Sequence, residues 1–321
     1  MSQTAAPMLP EVLPVRQASR ELVRELGFLQ GRDATTSLSH SHCHALIEIG
    51  ARATLAQAEL PGLLRLDKST ASRIVSELEA RGLVRARASA HDARQRTLSL
   101  TAKGRTKLDA VHRSANARVE RALASLSSAD RAAVVRGLQL YARALERSRR
   151  AAELVVRPAE RRDRDGIARL IRKVMPEFGA EGPGFAILDP EVDDMPAAYR
   201  DRRAAYFVVA RKEPAGRRRG EPEVLGGGGF AALAGGDAST CELRKMYFLP
   251  ELRGLGLGQA LLDRCIQGAR RAGFRRMYLE TLTNLAQARA LYEKNGFVRL
   301  PRPLGQTGHF GCNAFYAKDL A

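Results

Sequence analysis

The chain has 321 residues, enough for two ordinary domains of roughly 100–200 residues each, and its 45% hydrophobic content excludes wholesale disorder. It contains no apolar run of the roughly 18 residues that would span a membrane, no basic-then-apolar start of a secretory signal, and no CxxC spacing among Cys43, Cys241, Cys265 and Cys312. A membrane partner, a zinc site and a disulfide framework are therefore not indicated, and a cytoplasmic protein is expected.

The net charge is +18 and unevenly spread: residues 1–150 carry 25 Lys and Arg against 14 Asp and Glu, residues 151–321 carry 28 against 21. Between Arg81 and Lys107 there are eight basic residues and one acid, Asp92. Such an excess attracts a polyanion, with counterion release driving nucleic-acid binding. The alternative for the global excess is an arginine-rich composition that simply favours Arg at solvated positions.

In chain order, residues 11–30 form a candidate helix with Leu22, Val23, Leu26 and Leu29 apolar, followed by helices at 42–49 and 54–60, the last interrupted by Pro61-Gly62. His40, His42, Cys43 and His44 lie together. His40 and His44 are spaced to share a helix face, but no carboxylate or second Cys joins them, so packing is the simpler reading and no metal is expected. Asp67 suits an N-cap, Ile74 and Leu78 with Leu83 form a buried stripe, and Gly82 ends the helix. Ser69, Thr70, Ser72 and Arg73 sit near its start and mostly off the stripe, where small hydroxyls and an arginine fit a helix in a DNA major groove. Residues 83–87 and 96–100 read as a hairpin bearing Arg85, Arg87, Arg94 and Arg96. A basic hairpin beside such a helix suits phosphate or minor-groove contact. A long helix starting near Thr101 and another over 127–149 complete this half.

These pieces together resemble the MarR winged helix-turn-helix regulators over residues 11–150: Asp67-Lys68-Ser69-Thr70-Ala71-Ser72-Arg73, Leu78-Glu79-Ala80-Arg81-Gly82-Leu83-Val84, Asp92-Ala93-Arg94 and Leu100-Thr101-Ala102-Lys103-Gly104. The resemblance implies a homodimer built from the first and last helices that reads a pseudo-palindromic double-stranded DNA operator, with Asp92 orienting the wing and Arg94 entering the minor groove. A helical dimerisation module that no longer binds DNA is the alternative.

Near residue 150 the pattern changes. Short apolar runs such as Leu154-Val155-Val156 and Tyr206-Phe207-Val208-Val209 alternate with amphipathic helices, placing the domain boundary there and making 151–321 an α/β domain. Residues 211–223 read as an exposed hairpin loop. The strongest constellation is a strand over 241–249, then Arg253-Gly254-Leu255-Gly256-Leu257-Gly258-Gln259, then an amphipathic helix. Glycines so placed let backbone amides crowd round an anion at a helix N-terminus. The spacing is wrong for a dinucleotide fingerprint, and no Gly-Lys-Ser/Thr ending marks a nucleotide P-loop.

From about Glu153 to Leu320 the chain resembles the GNAT acetyltransferase superfamily, with its mixed central sheet. Arg253 to Gly258 match the R/Q-x-x-G-x-G/A motif, which implies that these amides and Gln259 hold the pyrophosphate of acetyl-CoA, the acyl donor. The resemblance also implies a strand splayed from its neighbour, so that backbone groups of Met246 and Phe248 pair with the pantetheine arm. Asn284-x3-Ala288-x3-Tyr292, followed by Gly296-Phe297, matches a second signature, and the i, i+4, i+8 spacing places the three on one helical face. Asn284 would bond the pantetheine or substrate, and Tyr292 would protonate the departing thiolate or else serve as a core aromatic. Glu242 is the first choice for a base, directly or through water, with a structural role the alternative. Asp193 and Asp194 lie where the superfamily shapes its acceptor pocket, and are either amine-attracting or simply solvated. The expected protein is a DNA-binding regulator fused to an N-acetyltransferase acting on an amine. The other reading is a regulator whose second half only senses acetyl-CoA or a metabolite.

Overall fold

A computed structural model describes residues 9–31, 37–88, 95–213 and 222–320. The chain divides into two compact units, Met1–Val134 and Val135–Ala321. The division falls inside the helix whose end, near residue 150, marks the change of sequence pattern.

The first unit is a small helical domain with a three-stranded antiparallel sheet. Its elements are α1 (Val12–Glu25), α2 (His40–Gly50), β1 (Leu55–Ala56), α3 (Leu60–Leu64), α4 (Lys68–Ala80), β2 (Val84–Ala88), β3 (Arg96–Leu100) and α5 (Ala102–Ala124). The sheet order is β1-β3-β2, the arrangement of a winged helix. On α4 the buried residues are Ala71, Ile74, Val75 and Leu78, one face of the helix at i, i+3, i+4 and i+7. They pack on Leu46, Ile49, Leu55, Leu60 and Leu98, and α5 adds Val111. Pro61 does not interrupt a helix as the sequence implied. Residues 55–59 are a short strand and a 3₁₀ turn, and Pro61 sits in the first turn of α3, where its missing N–H costs nothing.

Residues 101–104 have a concrete structural task. Thr101 Oγ1 accepts from Gly104 N (2.9 Å), capping α5, and donates to Gly82 O (2.7 Å). Lys103 Nζ donates to Arg81 O (2.8 Å), satisfying a carbonyl at the end of α4. Gly104 lets α5 start directly against β2, since a Cβ there would stand 1.9 Å from Leu83 O. The long helix α6 (Ser128–Ala152) follows, and neither it nor α1 buries a single residue.

The second unit is a seven-stranded mixed sheet in the order β4-β5-β6-β7-β8-β10-β9. Its strands are β4 (Leu154–Pro158), β5 (Ala205–Arg211), β6 (Val224–Ala232), β7 (Thr240–Phe248), β8 (Arg276–Thr281), β9 (Val298–Leu300) and β10 (Ala314–Asp319). Its helices are α7 (Arg164–Val174), α8 (Met195–Ala198), α9 (Leu257–Arg271) and α10 (Ala286–Lys294). On β5, Tyr206 and Val208 pack in one core with Ile167 and Ile171 of α7, and Phe207 in the other with Leu261 and Cys265 of α9. The two helices therefore cover opposite faces of the sheet. Every neighbouring pair is antiparallel except β7 and β8, which run parallel.

That pair is joined only from Thr240–Glu242 to Arg276–Tyr278 and then parts, opening a gap from Leu243 and Leu279 onward. A bulge lies just beyond the parting: against β6, register jumps from Gly229↔Arg244 to Gly227↔Tyr247, and Lys245 takes φ 52°. A bulge of this kind bends its strand. Tyr206 lies beneath it and donates its hydroxyl to Lys245 O (3.1 Å). Gly227 makes room, since a Cβ there would be 2.7 Å from that hydroxyl oxygen.

Replacing Gly104 by Ala is expected to destabilise the first unit by about 1–3 kcal/mol, the usual cost of overpacking. Urea unfolding measures this. Gly82→Ala is the control, because nothing lies within 4 Å of a Cβ there and only its φ of 68° opposes the change.

Candidate functional site

The gap between β7 and β8 opens into a cleft of about 770 Å³. Of the residues singled out from sequence, Glu242, Met246, Phe248, Arg253, Gly254, Gly256, Gly258, Gln259, Asn284 and Tyr292 all line it. Leu255 and Leu257 do not: both turn into the core beneath α7, Leu257 being buried.

One end of the cleft is formed by the glycine turn. Gly254 and Gly256 have φ of 78° and 79°, left-handed values that disfavour any side chain, and a Cβ on either would meet nothing within 4 Å. Their glycine character therefore serves the turn and an open space above it. Gly256 is the N-cap of α9 and brings no side-chain acceptor, leaving the first-turn amides directed at whatever occupies the cleft. Arg253 is held aside: its Nη2 donates to Glu177 Oε2 (2.6 Å) and Phe248 O (3.2 Å), and its guanidinium lies 5.4 Å from the Phe178 ring. The Gln259 side chain is bonded to Asp263 (2.9 Å) and Asn295 (2.7 Å), so only its amide faces the turn's business.

The second signature is arranged differently from its spacing. Helix α10 begins at Ala286, so Asn284 precedes it and does not share its face with Ala288 and Tyr292. Asn284 Nδ2 donates to Phe178 O (3.1 Å), yet all three residues still line the cleft. Tyr292 is buried, with ring centroids 5.8 Å from Phe297 and 6.4 Å from Tyr316. Burial raises its pKa well above the usual phenol value, which keeps the hydroxyl protonated. It is thus a core aromatic that also lines the cleft wall.

The other end of the cleft is densely charged. Glu242, only 2% exposed, has Oε2 at 2.9 Å from Arg244 Nε and Oε1 at 3.9 Å from His309 Nδ1. Burial pushes its carboxyl upward, with Arg244 and His309 pulling back. Lys245 is buried and its Nζ lies between Asp189 Oδ2 (2.6 Å) and Glu191 Oε1. Asp189 also accepts from His309 Nε2 (3.0 Å). Against the burial that would raise it, the His309 and Lys245 bonds hold Asp189 at about 2. The Asp189 bond in turn raises His309 above its ordinary value of 6.5.

Sequence reading missed Asp189, Glu191, Lys245 and His309. His309 follows Gly305 and Gly308 in an irregular stretch with no periodicity to mark it, and Lys245 is a lone lysine within a strand with nothing beside it in sequence to mark its burial. Asp193 and Asp194, which sequence placed near the acceptor, do not line the cleft. Asp193 pairs with Arg172 at the surface, and Asp194 caps α8.

In the first unit, Ser69, Thr70, Ser72 and Arg73 fall in the first two turns of α4. Asp67 accepts from Thr70 N (2.8 Å), Ser69 Oγ (2.6 Å) and Thr70 Oγ1 (2.7 Å), so two of the expected DNA-contacting hydroxyls are tied into the cap. Chiefly the Ser69 bond holds Asp67 far below the usual carboxylate range. Ser72 and Arg73 are exposed, Arg73 resting on Thr70 Oγ1 (3.2 Å). On the wing, Arg85 and Arg87 are exposed, while Arg96 is drawn back onto α4 by Glu79 (3.1 Å), which also accepts from Ala86 N. Asp92 and Arg94 lie outside the described residues. Of the histidines, His40 bonds Gly27 O and packs on Phe28, and His42 pairs with Glu77 at 3.0 Å.

Asp189→Asn is expected to lower the pKa of His309, read by NMR titration of the imidazole, because the bond that raises it loses its charge. The sign for stability follows: with its folded pKa raised, His309 stabilises the fold fully below 6.5 and loses that contribution as pH rises through the folded value. Asp189→Asn should flatten this limb. An unchanged His309 titration would contradict the pairing.

Residues 169–297 match the acetyltransferase (GNAT) family and residues 36–95 the MarR family. An uncharacterized N-acetyltransferase of Escherichia coli (strain K12), YjgM, is 41% identical over 167 residues, 52% of this chain and 95% of that protein. An uncharacterized N-acetyltransferase of Schizosaccharomyces pombe is 31% identical over 135 residues, 42% of this chain and 76% of that protein. A GNAT-family acetyltransferase structure from Staphylococcus aureus Mu50 aligns with 20% identity and a TM-score of 0.44, covering 52% of this chain and 99% of that one. Both resemblances read from the sequence are borne out: this chain belongs to the GNAT acetyltransferase family through its C-terminal half and carries a MarR-family winged helix in its N-terminal half.

Proposed function

We propose that the C-terminal half transfers the acetyl group of acetyl-CoA to the nitrogen of an amine, and that the N-terminal half carries it as a homodimer on DNA. The observation behind the enzymatic reading is the parting of β7 from β8, which runs from the Gly254–Gly258 amides to the buried pair of Glu242 and Tyr292 in one cleft. The backbone of β7 beyond Leu243 has no strand partner on its β8 side and is free to pair with the pantetheine arm. The first-turn amides of α9 suit its pyrophosphate, and Arg253 would join them only by leaving Glu177.

Glu242, its pKa raised by burial, accepts a proton from the acceptor ammonium directly or through water. The nitrogen lone pair then forms the bond to the thioester carbonyl carbon, the carbon–sulfur bond breaks, and the Tyr292 hydroxyl supplies the proton to the departing thiolate. Because Tyr292 stays protonated well above neutral pH, it serves as an acid and not as a base. The products are an acetamide and a free thiol.

For DNA binding, Ser72 and Arg73 on α4 and Arg85 and Arg87 on the wing form an exposed basic face. Helix α1 carries exposed Leu13, Leu22 and Val23, and α6 carries exposed Val135, Leu138 and Leu145, each the kind of apolar surface that a dimer partner covers.

Mixing the protein with acetyl-CoA and a panel of amines should release free thiol, and Gly256→Glu should abolish it by straining the turn and placing a carboxylate at the anion site. Acetyl-CoA that binds with no thiol release from any amine would leave the sensing role. Arg73→Ala and Arg94→Ala should each weaken binding to the protein's own promoter, a lost base contact being worth about 1–3 kcal/mol and a lost phosphate contact lowering the salt slope by about 1. Unaltered retardation at low and moderate salt would refute the DNA-reading role.

A further inference from the structure

The acyl-transfer reading leaves the acceptor open, and the charge arrangement at the acceptor end of the cleft narrows it. A second cavity, of about 300 Å³, adjoins the cleft and shares with it Glu280, His309 and Cys312. Its other walls are uncharged: Pro303, Phe310, Phe315, Thr307 and the loop around Gly305 and Gly308. The loop is clasped to the opposite wall, with Gly311 N donating to Gly184 O (3.1 Å) and Phe310 packing where a Cβ on Gly184 would be 2.7 Å away.

Glu280 stands at the junction of the two spaces. It lies two residues beyond Tyr278 on β8, and Tyr278 is in register with Glu242, so the two carboxylates share a face of the sheet. Every cation at this junction is already matched to an acid: Arg244 to Glu242 and, at 3.6 Å, Glu191; Lys245 to Asp189 and Glu191; His309 to Asp189. Glu280 is the exception. Its Oε1 accepts from Tyr278 Oη (2.7 Å) and Thr307 Oγ1 (2.9 Å), two neutral donors, and among the described residues no Lys, Arg or His lies within salt-bridge distance. Nearby, the buried Glu242 Oε2 and Arg244 Nε face each other at 2.9 Å as an ion pair, neither making an aligned hydrogen bond. The junction therefore holds one carboxylate in excess, Glu280, which favours a cation carrying N–H donors.

Resting on the acyl-transfer reading, we propose that the acceptor is a primary amine without a carboxylate, seated as its ammonium on Glu280 with its uncharged body in the second cavity. An α-amino acid would place its carboxylate beside Glu280 with no unmatched cation at the junction to receive it. From Glu280 the ammonium is positioned to pass a proton to Glu242, which frees the nitrogen lone pair for the thioester.

Tyramine and L-tyrosine differ only by the carboxylate and make the test. Each is titrated calorimetrically into the full-length protein saturated with coenzyme A. Tyramine should bind at least tenfold more tightly than tyrosine, and Glu280→Gln, which retains an acceptor for Tyr278 and Thr307, should weaken tyramine at least tenfold with coenzyme A affinity and Tm unchanged. Equal or tighter tyrosine binding, no binding of either, or tyramine binding indifferent to Glu280→Gln would overturn the proposal. Tyramine that binds as expected but never releases thiol from acetyl-CoA would refute acyl transfer and leave the assignment of Glu280 standing.

Discussion

Lys245 holds a left-handed backbone conformation in the middle of a strand, and its buried ammonium between Asp189 and Glu191 keeps it there. A non-glycine residue in that region is strained by about 1–3 kcal/mol, and a lone buried ammonium would be costlier still, so the conformation persists only because both carboxylates meet it. The bulge it makes bends β7 as that strand leaves β8. The bulge follows directly on the last β7–β8 pair, so the bend and the open groove occur at the same place in the strand.

The same ion cluster organises the charged end of the cleft. Asp189 bonds Lys245 on one side and His309 on the other, so the residue that stabilises the bulge also orients the imidazole facing Glu242. Tyr206, lying under the glycine run of β6, completes the arrangement by satisfying the Lys245 carbonyl. The groove and the charged end of the cleft are thus both tied to one distortion in one strand. Glu280, on the partner strand at the same parting, supplies the charge that the matched pairs leave over.

Much of this was legible in the sequence because it is periodic or rests on glycine. The α4 stripe, the wing strands, and the strand–turn–helix at 240–271 all follow from side-chain spacing and from positions that only glycine tolerates well. What escaped was set by tertiary contact. Pro61 starts a helix because residues 55–59 pair and turn before it, which no local pattern announces. Asn284 kept the spacing of a helical face yet lies ahead of α10. Lys245 and His309 carry no signal of burial in their own neighbourhoods, and Asp193 and Asp194 drew attention as a pair of acids although Asp189, a few residues earlier, is the one that reaches the site.

The most direct test of this account is a crystal structure of the protein grown with coenzyme A. The pantetheine arm should lie between β7 and β8, paired with the β7 backbone at Met246 and Phe248, with the pyrophosphate on the amides of residues 254–258 and the thiol directed toward Tyr292. Coenzyme density elsewhere on the domain, or an empty groove at saturating coenzyme, would contradict it.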